Sequence, residues 1–201
     1  MSGRKVGTTG QARVLDEKEL RQVLKVTEVG NHAKRNVAIL IMSNYLGLRS
    51  KELASLKITD VYEDGQIKKV LRLVASYTKG GKHRDLSLEN KAVIKALSDY
   101  IAERREEDAL LFNLEAPLFR SQKKTAFSPN SMVRVLVDIY KSAGFSDASS
   151  HSGRRSLITK LAYAGIDINS VRQIAGHSSI ATTQRYINDN PYVIAEILKS
   201  I

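Results

Sequence analysis

The stretch NVAILIMSNYLGLRSKEL, residues 36–53, constrains the fold more than any other. From Val37 to Leu46 it is apolar almost all round, a pattern that puts a helix through the middle of a domain with other elements packed around it. Gly47 offers the positive φ on which such a helix can stop, and Arg49 follows almost at once. Ser50 is placed to cap the next short helix, KELASL, so Arg49 is expected at a junction between two helices, held by the core behind it.

Helical periodicity recurs along the chain. LDEKELRQVLKV opens with Asp16 three residues before Glu19, the spacing of a capping box, and carries Leu20, Val23 and Leu24 on one face. KAVIKALSDYIAERREED puts Val93, Ala96, Leu97, Tyr100 and Ile101 on one stripe, and SPNSMVRVLVDIYKSAG begins with Ser128 and Pro129 and ends before Gly144. Further helices are predicted over about 152–163 and 168–175, with breaks at Gly165 and Gly176, followed by one carrying Thr182, Thr183 and Tyr186. KKVLRLVAS and HRDLSL read as strands, and Gly80-Gly81 between them can make a tight hairpin turn flanked by Lys79 and Lys82. The predicted class is therefore mainly α with a small antiparallel β-sheet (α+β). Residues 1–14 read as a flexible basic tail and 15–187 as the body of the domain. Residues 188–201 read as a tail helix whose stripe of Val193, Ile194, Ile197, Leu198 and Ile201 must dock, on its own domain or on a neighbouring protomer.

Charge narrows the partners. Lys and Arg total 32 against 21 Asp and Glu, a formal charge of +11, which favours a polyanion through release of its counterions. Nucleic acid leads, ahead of an anionic membrane surface. The chain has no cysteine, which excludes disulfide scaffolds, thiol nucleophiles and Cys-ligated zinc. The opening MSGRKVGTTGQAR has no apolar core of a leader, and the longest apolar run, VAILIM, is too short to span a bilayer. A cytoplasmic, nucleoid-associated location and no membrane partner are the expectation.

Residues 151–187 then gather His151, Arg154, Arg155, His177, Arg185 and Tyr186 into one short region. Attack on a phosphodiester builds negative charge on its non-bridging oxygens, and planar guanidinium groups can fork onto them from two directions. His151 and Arg154, three apart, share a face if their segment is helical from its first turn. A phenol in cationic surroundings is a usable nucleophile, and the phosphotyrosine ester it forms keeps the energy needed to rejoin the strand. A metal held by the two histidines is disfavoured, because no third ligand stands at a usual spacing. Tyr192, after Pro191, is the rival nucleophile.

GLRSKEL, YTKGGKHR, HSGRR, AGHSS and TTQRY, in this order, with a histidine nine residues before the tyrosine, resemble the catalytic domain of the tyrosine recombinase (phage integrase) family over about residues 15–201. The resemblance implies that family's catalytic-domain fold and site-specific DNA recombination, by integration, excision or inversion, through a 3′-phosphotyrosine intermediate. It implies Arg49 and Arg154 as phosphate clamps, Glu52 as the carboxylate supporting Arg49, and Lys79 as the acid that protonates the leaving 5′ oxygen; Lys82, three residues on at the same hairpin tip, is a substitute for that acid. It further implies His151 in the site, His177 as a hydrogen-bond donor, and Tyr186 as nucleophile. Lys82, Arg84, Arg155 and Arg185 are expected to contact DNA. No metal, ATP or other cofactor is implied.

The implied partners are double-stranded DNA bearing specific recombination sites, further copies of the chain (dimer to tetramer), and an accessory DNA-bending protein. Arg155 stands where many members have a second histidine, and most members carry an additional N-terminal DNA-clamping domain, whereas this sequence begins almost at the catalytic domain. Two other functions compete: a type IB topoisomerase using the same chemistry, and a non-catalytic DNA-binding regulator in which residues 155–179 form a helix-turn-helix. The regulator leaves Arg49, Lys79 and Tyr186 without a task.

Overall fold

The computed structural model describes residues 12–78 and 83–188. Its elements are α1 (Glu17–Glu28), α2 (Ala33–Tyr45), α3 (Ser50–Ser55), α4 (Ile58–Val61), β1 (Tyr62–Glu63), β2 (Gln66–Ile67), β3 (Val70–Leu73), β4 (Arg84–Ser87), α5 (Lys91–Asp108), α6 (Pro129–Ser142), α7 (Ser152–Tyr163), α8 (Ile168–Ala175) and α9 (Ile180–Asn188). The fold is mainly helical with small antiparallel sheets, as the sequence predicts.

α2 is the central element. Ala38, Ile39, Leu40 and Met42 are wholly buried, and α1, α5, α6 and α7 all pack on it. The helix ends where expected, with Leu46 as its C-cap and Gly47 at φ 62°. α1 carries the expected capping box: Asp16 accepts from the backbone of Glu19, and Glu19 from that of Asp16. Ser128 caps α6 and Pro129 occupies its first turn.

The cap of α3 differs from expectation. Ser50 is inside the helix, and Arg49 is the N-cap residue. The Glu52 carboxylate reaches back to the Arg49 backbone N–H at 2.8 Å, half of a capping box supplied from the third helical position. The helix starts one residue earlier than predicted, which moves Ser50 from the cap position to the first helical one.

β3 and β4 pair antiparallel as predicted, from Val70↔Ser87 to Leu73↔Arg84, while the Gly80-Gly81 turn predicted between them lies outside the described residues. The strands are shorter than the runs that announced them; Leu71, Leu73 and Leu86 alternate into the core, with Leu88 buried just beyond β4. A second two-stranded sheet, β1 with β2, was not anticipated. It turns on Asp64 and Gly65, both at positive φ, in the Asp-Gly manner of a two-residue hairpin.

Two further features fix the site's position. α7 crosses α2 at Gly153, where a Cβ would lie 2.7 Å from Asn44 Nδ2 and Ser43 Oγ; a larger residue there would push α7 away from the end of α2. α7, α8 and α9 share a small cluster of Ile158, Val171 and Ala175, against which Leu161 and Tyr186 pack.

The N-terminal boundary also moves. Arg13 pairs with Asp147 at 2.8 Å and hydrogen-bonds Glu19, Leu15 is buried, and the Leu15 N–H donates to Ser156 Oγ at 2.8 Å. Residues 13 and 14 therefore belong to the body, not to a mobile tail. Residues 1–11, Lys79, Lys82 and the predicted tail helix after residue 188 lie outside the described residues. Among the described residues no helix is long and apolar enough to cross a membrane.

Candidate active site

Four chain segments, far apart in sequence, meet around a group of arginines. Arg49 enters from the α2–α3 junction, Arg84 from the first position of β4, Arg154 from the first turn of α7, and Gly176 and His177 from the turn after α8. Glu52, wholly buried, is the shared anion. Its Oε1 accepts from Arg49 Nη1 at 2.8 Å, and its Oε2 from Arg84 Nη2 at 2.9 Å.

Backbone carbonyls at helix ends hold the guanidinium groups from the other side. Arg154 Nη1 donates to Gly47 O at 2.7 Å and Nη2 to Ala175 O. Arg49 Nη2 donates to Gly176 O at 3.1 Å, and Arg84 Nη1 to Ile174 O at 3.1 Å. The C-terminal ends of α2 and α8 carry partial negative charge, so each cation is drawn toward a helix terminus. Gly176, at φ 60°, leaves room for this: a Cβ there would lie 2.7 Å from Arg84 Nη1.

Three guanidinium groups gather near one carboxylate, a surplus of positive charge in which Arg84 and Arg154 are buried and Arg49 is part-exposed. Burial, followed by repulsion from Arg49 and Arg84, pushes Arg154 down to about 9, so it remains protonated at neutral pH. Burial chiefly, then the cations Arg154, Arg49 and Arg84, push His177 down to about 3, which leaves a neutral imidazole. Such a cluster is built to receive an anion.

Tyr186 closes the site from α9. Its ring stacks on His177, with centroids 5.3 Å apart and planes inclined by 23°. The Arg155 guanidinium lies over the Tyr186 ring, 5.8 Å from its centroid. His177 Nδ1 is 3.0 Å from Oγ1 of the buried Thr183.

The structure thus brings together Arg49, Glu52, Arg154, His177 and Tyr186. His151 is the N-cap of α7, its side chain exposed one turn from Arg154; the helix begins just after it. Arg185 is exposed beside Tyr186 on α9. Two of the residues expected at DNA, Arg84 and Arg155, have partners inside the protein. Arg84 is buried, its guanidinium turned inward onto Glu52 because that carboxylate needs a second counter-charge. Arg155 is likewise buried, its guanidinium over Tyr186. Neither lies on an open surface. Lys79 and Lys82 are outside the described residues. Among those described, no cluster of three or more His, Asp or Glu could hold a metal ion.

Sequence reasoning missed Thr183 and the carbonyls of Gly47, Ala175 and Gly176. Thr183 had a signal, since it sits one turn before Tyr186. The carbonyls had only the glycines that end α2 and α8.

A helical domain with a paired-arginine cluster and a tyrosine on a late helix is the catalytic-domain architecture of tyrosine recombinases. Residues 13–192 match the family model described as Phage integrase family, and the chain belongs to that family. The tyrosine recombinase XerC of Myxococcus xanthus is 35% identical over 179 residues, 87% of this chain and 57% of that protein. XerA of Pyrococcus furiosus is 30% identical over 173 residues, 86% of this chain and 56% of that protein. The chain spans little more than half the length of these relatives. A crystal structure of XerA recombinase superposes with a TM-score of 0.77 at 28% identity, covering 96% of this chain and 66% of that one. The pre-cleavage complex of the XerH site-specific recombinase bound to difH substrate superposes with a TM-score of 0.67 at 25% identity, covering 87% of this chain and 49% of that one.

Proposed function

We propose that this domain cleaves and rejoins double-stranded DNA at specific recombination sites through a covalent 3′-phosphotyrosine, with Tyr186 as the nucleophile. One observation carries the reading: Arg49 and Arg154, 105 positions apart in sequence, both donate to carbonyls at the C-terminal end of α8, next to His177, against whose ring Tyr186 stacks. In the reaction the Tyr186 phenol gives up its proton to water, its oxygen bonds to phosphorus, and the bond to the 5′ oxygen breaks. The leaving oxygen takes a proton, for which Lys79 is the proposed donor. Arg49 and Arg154 neutralise the charge that grows on the non-bridging oxygens, and His177 contributes a further hydrogen bond. Religation reverses the step, with a 5′ hydroxyl displacing the tyrosine.

The cluster also weighs against a regulator without catalysis, which has no use for two arginines anchored around a buried carboxylate. Further copies of the chain on the DNA, from dimer to tetramer, complete the proposal, since strand exchange needs more than one nucleophile. The test is a panel of nicked suicide duplexes drawn from the DNA flanking the gene. A protein adduct of slow migration in denaturing gels is expected from the native chain and none from Tyr186→Phe. An undiminished adduct from that variant would overturn the assignment.

A further inference from the structure

Thr183 is wholly buried, and the phosphodiester chemistry above assigns it no task. Its hydroxyl oxygen lies 3.0 Å from His177 Nδ1. It stands one helical turn before Tyr186 on α9, so the helix that carries the nucleophile also carries the partner of the imidazole stacked on it.

A neutral imidazole has one N–H donor and one lone pair, and the hydrogen bond made by one nitrogen decides what the other presents. His177 is held neutral by burial and by Arg154, Arg49 and Arg84, with a value of about 3. The direction of the Thr183 contact therefore decides whether Nε2 is a donor or an acceptor. Many helical threonines give their hydroxyl proton to the carbonyl four residues back, as Thr27 does to Val23 O at 2.7 Å. Among the described residues the bond of Thr183 Oγ1 is the one to His177. If Nδ1 carried the proton, the threonine hydroxyl hydrogen would be left in a fully buried place without an acceptor, which is costly.

We propose that Thr183 is a positioning residue whose hydroxyl donates to His177 Nδ1, so that Nε2–H is what the imidazole offers to a phosphate oxygen. This rests on the recombinase reading for its purpose, but the tautomer is a property of the protein without DNA. The arrangement explains how a histidine surrounded by cations can be a hydrogen-bond donor without carrying a charge of its own.

The experiment is long-range proton–nitrogen NMR on the 15N-histidine-labelled chain at pH 7, with His177 assigned by its loss in His177→Gln. The native chain should show His177 as a single Nε2–H tautomer. Thr183→Val, which keeps the volume, should mix in the Nδ1–H form and slow adduct formation about ten-fold, a fraction of the loss of a whole oxyanion donor. Thr183→Ser should restore both. An Nδ1–H or protonated ring in the native chain overturns the proposal, whatever the variants do. So does an unchanged tautomer in Thr183→Val, or failure of serine to restore it. Loss of the recombinase reading itself would appear separately, as an adduct that survives Tyr186→Phe.

Discussion

Arg49 and Glu52 are joined twice: the guanidinium Nη1 donates to Oε1 and the backbone N–H to Oε2, both at 2.8 Å. The carboxylate therefore caps α3 and orients the arginine at the same time, while its Oε2 also holds Arg84. A loop arginine gains the rigidity of a helix terminus, which is what pre-organised stabilisation of a growing charge requires.

Glu52→Gln removes the shared anion and leaves Arg49 and Arg84 facing each other in a buried place. Breaking a buried pair in this way costs about 3–5 kcal/mol, so the urea midpoint should fall accordingly. Arg84→Met alone should also destabilise, and adding it to Glu52→Gln should cost far less than the sum, because the two share one interaction. Strict additivity in the urea titrations would show that the two residues do not depend on each other.

The Arg155 guanidinium lies over the Tyr186 ring, 5.8 Å from its centroid. Its cation–π contact is of the order of 1 kcal/mol, so Arg155→Ala should slow adduct formation roughly five-fold. Affinity for an uncleavable duplex should stay nearly constant. A large drop in affinity with an unchanged cleavage rate would instead place Arg155 on the DNA.

His177 gives the fold a pH dependence of known sign. Its value in the folded chain, about 3, lies below the ordinary histidine value of 6.5, so the unfolded chain takes up the proton first as pH falls. Above pH 6.5 both states are neutral there and the contribution is flat. Between 6.5 and 3 stability is lost as pH falls, because protonation favours the unfolded chain. Lowered carboxylates such as Asp108 and Asp167 act in the lower part of the same range. The His177 effect is thus cleanest between about pH 6.5 and 5. Urea unfolding across that interval should show the slope in the native chain and a weaker one in His177→Gln; equal slopes would mean that His177 titrates freely when folded.

Much of this was legible in the sequence. The all-round apolar character of residues 37–46 placed α2 in the centre, and Ser128-Pro129, Gly165 and Gly176 marked helix boundaries, because capping and positive φ are local matters. The Asp64–Gly65 hairpin was missed, although its turn signal is local too, since strands of two residues leave no alternation to read.

The sequence alone determined the helical elements other than the single turn of α4, their order and the inventory of arginine, histidine and tyrosine side chains along them. Only the tertiary structure decided which cations face outward. Arg185 stays in solvent, while Arg84 turns in toward a carboxylate 32 positions away and Arg155 toward a ring on another helix. The reason is energetic: a buried charge is tolerable only where a counter-charge, a carbonyl or an aromatic face stands within reach, and that company is supplied by the packing of distant segments.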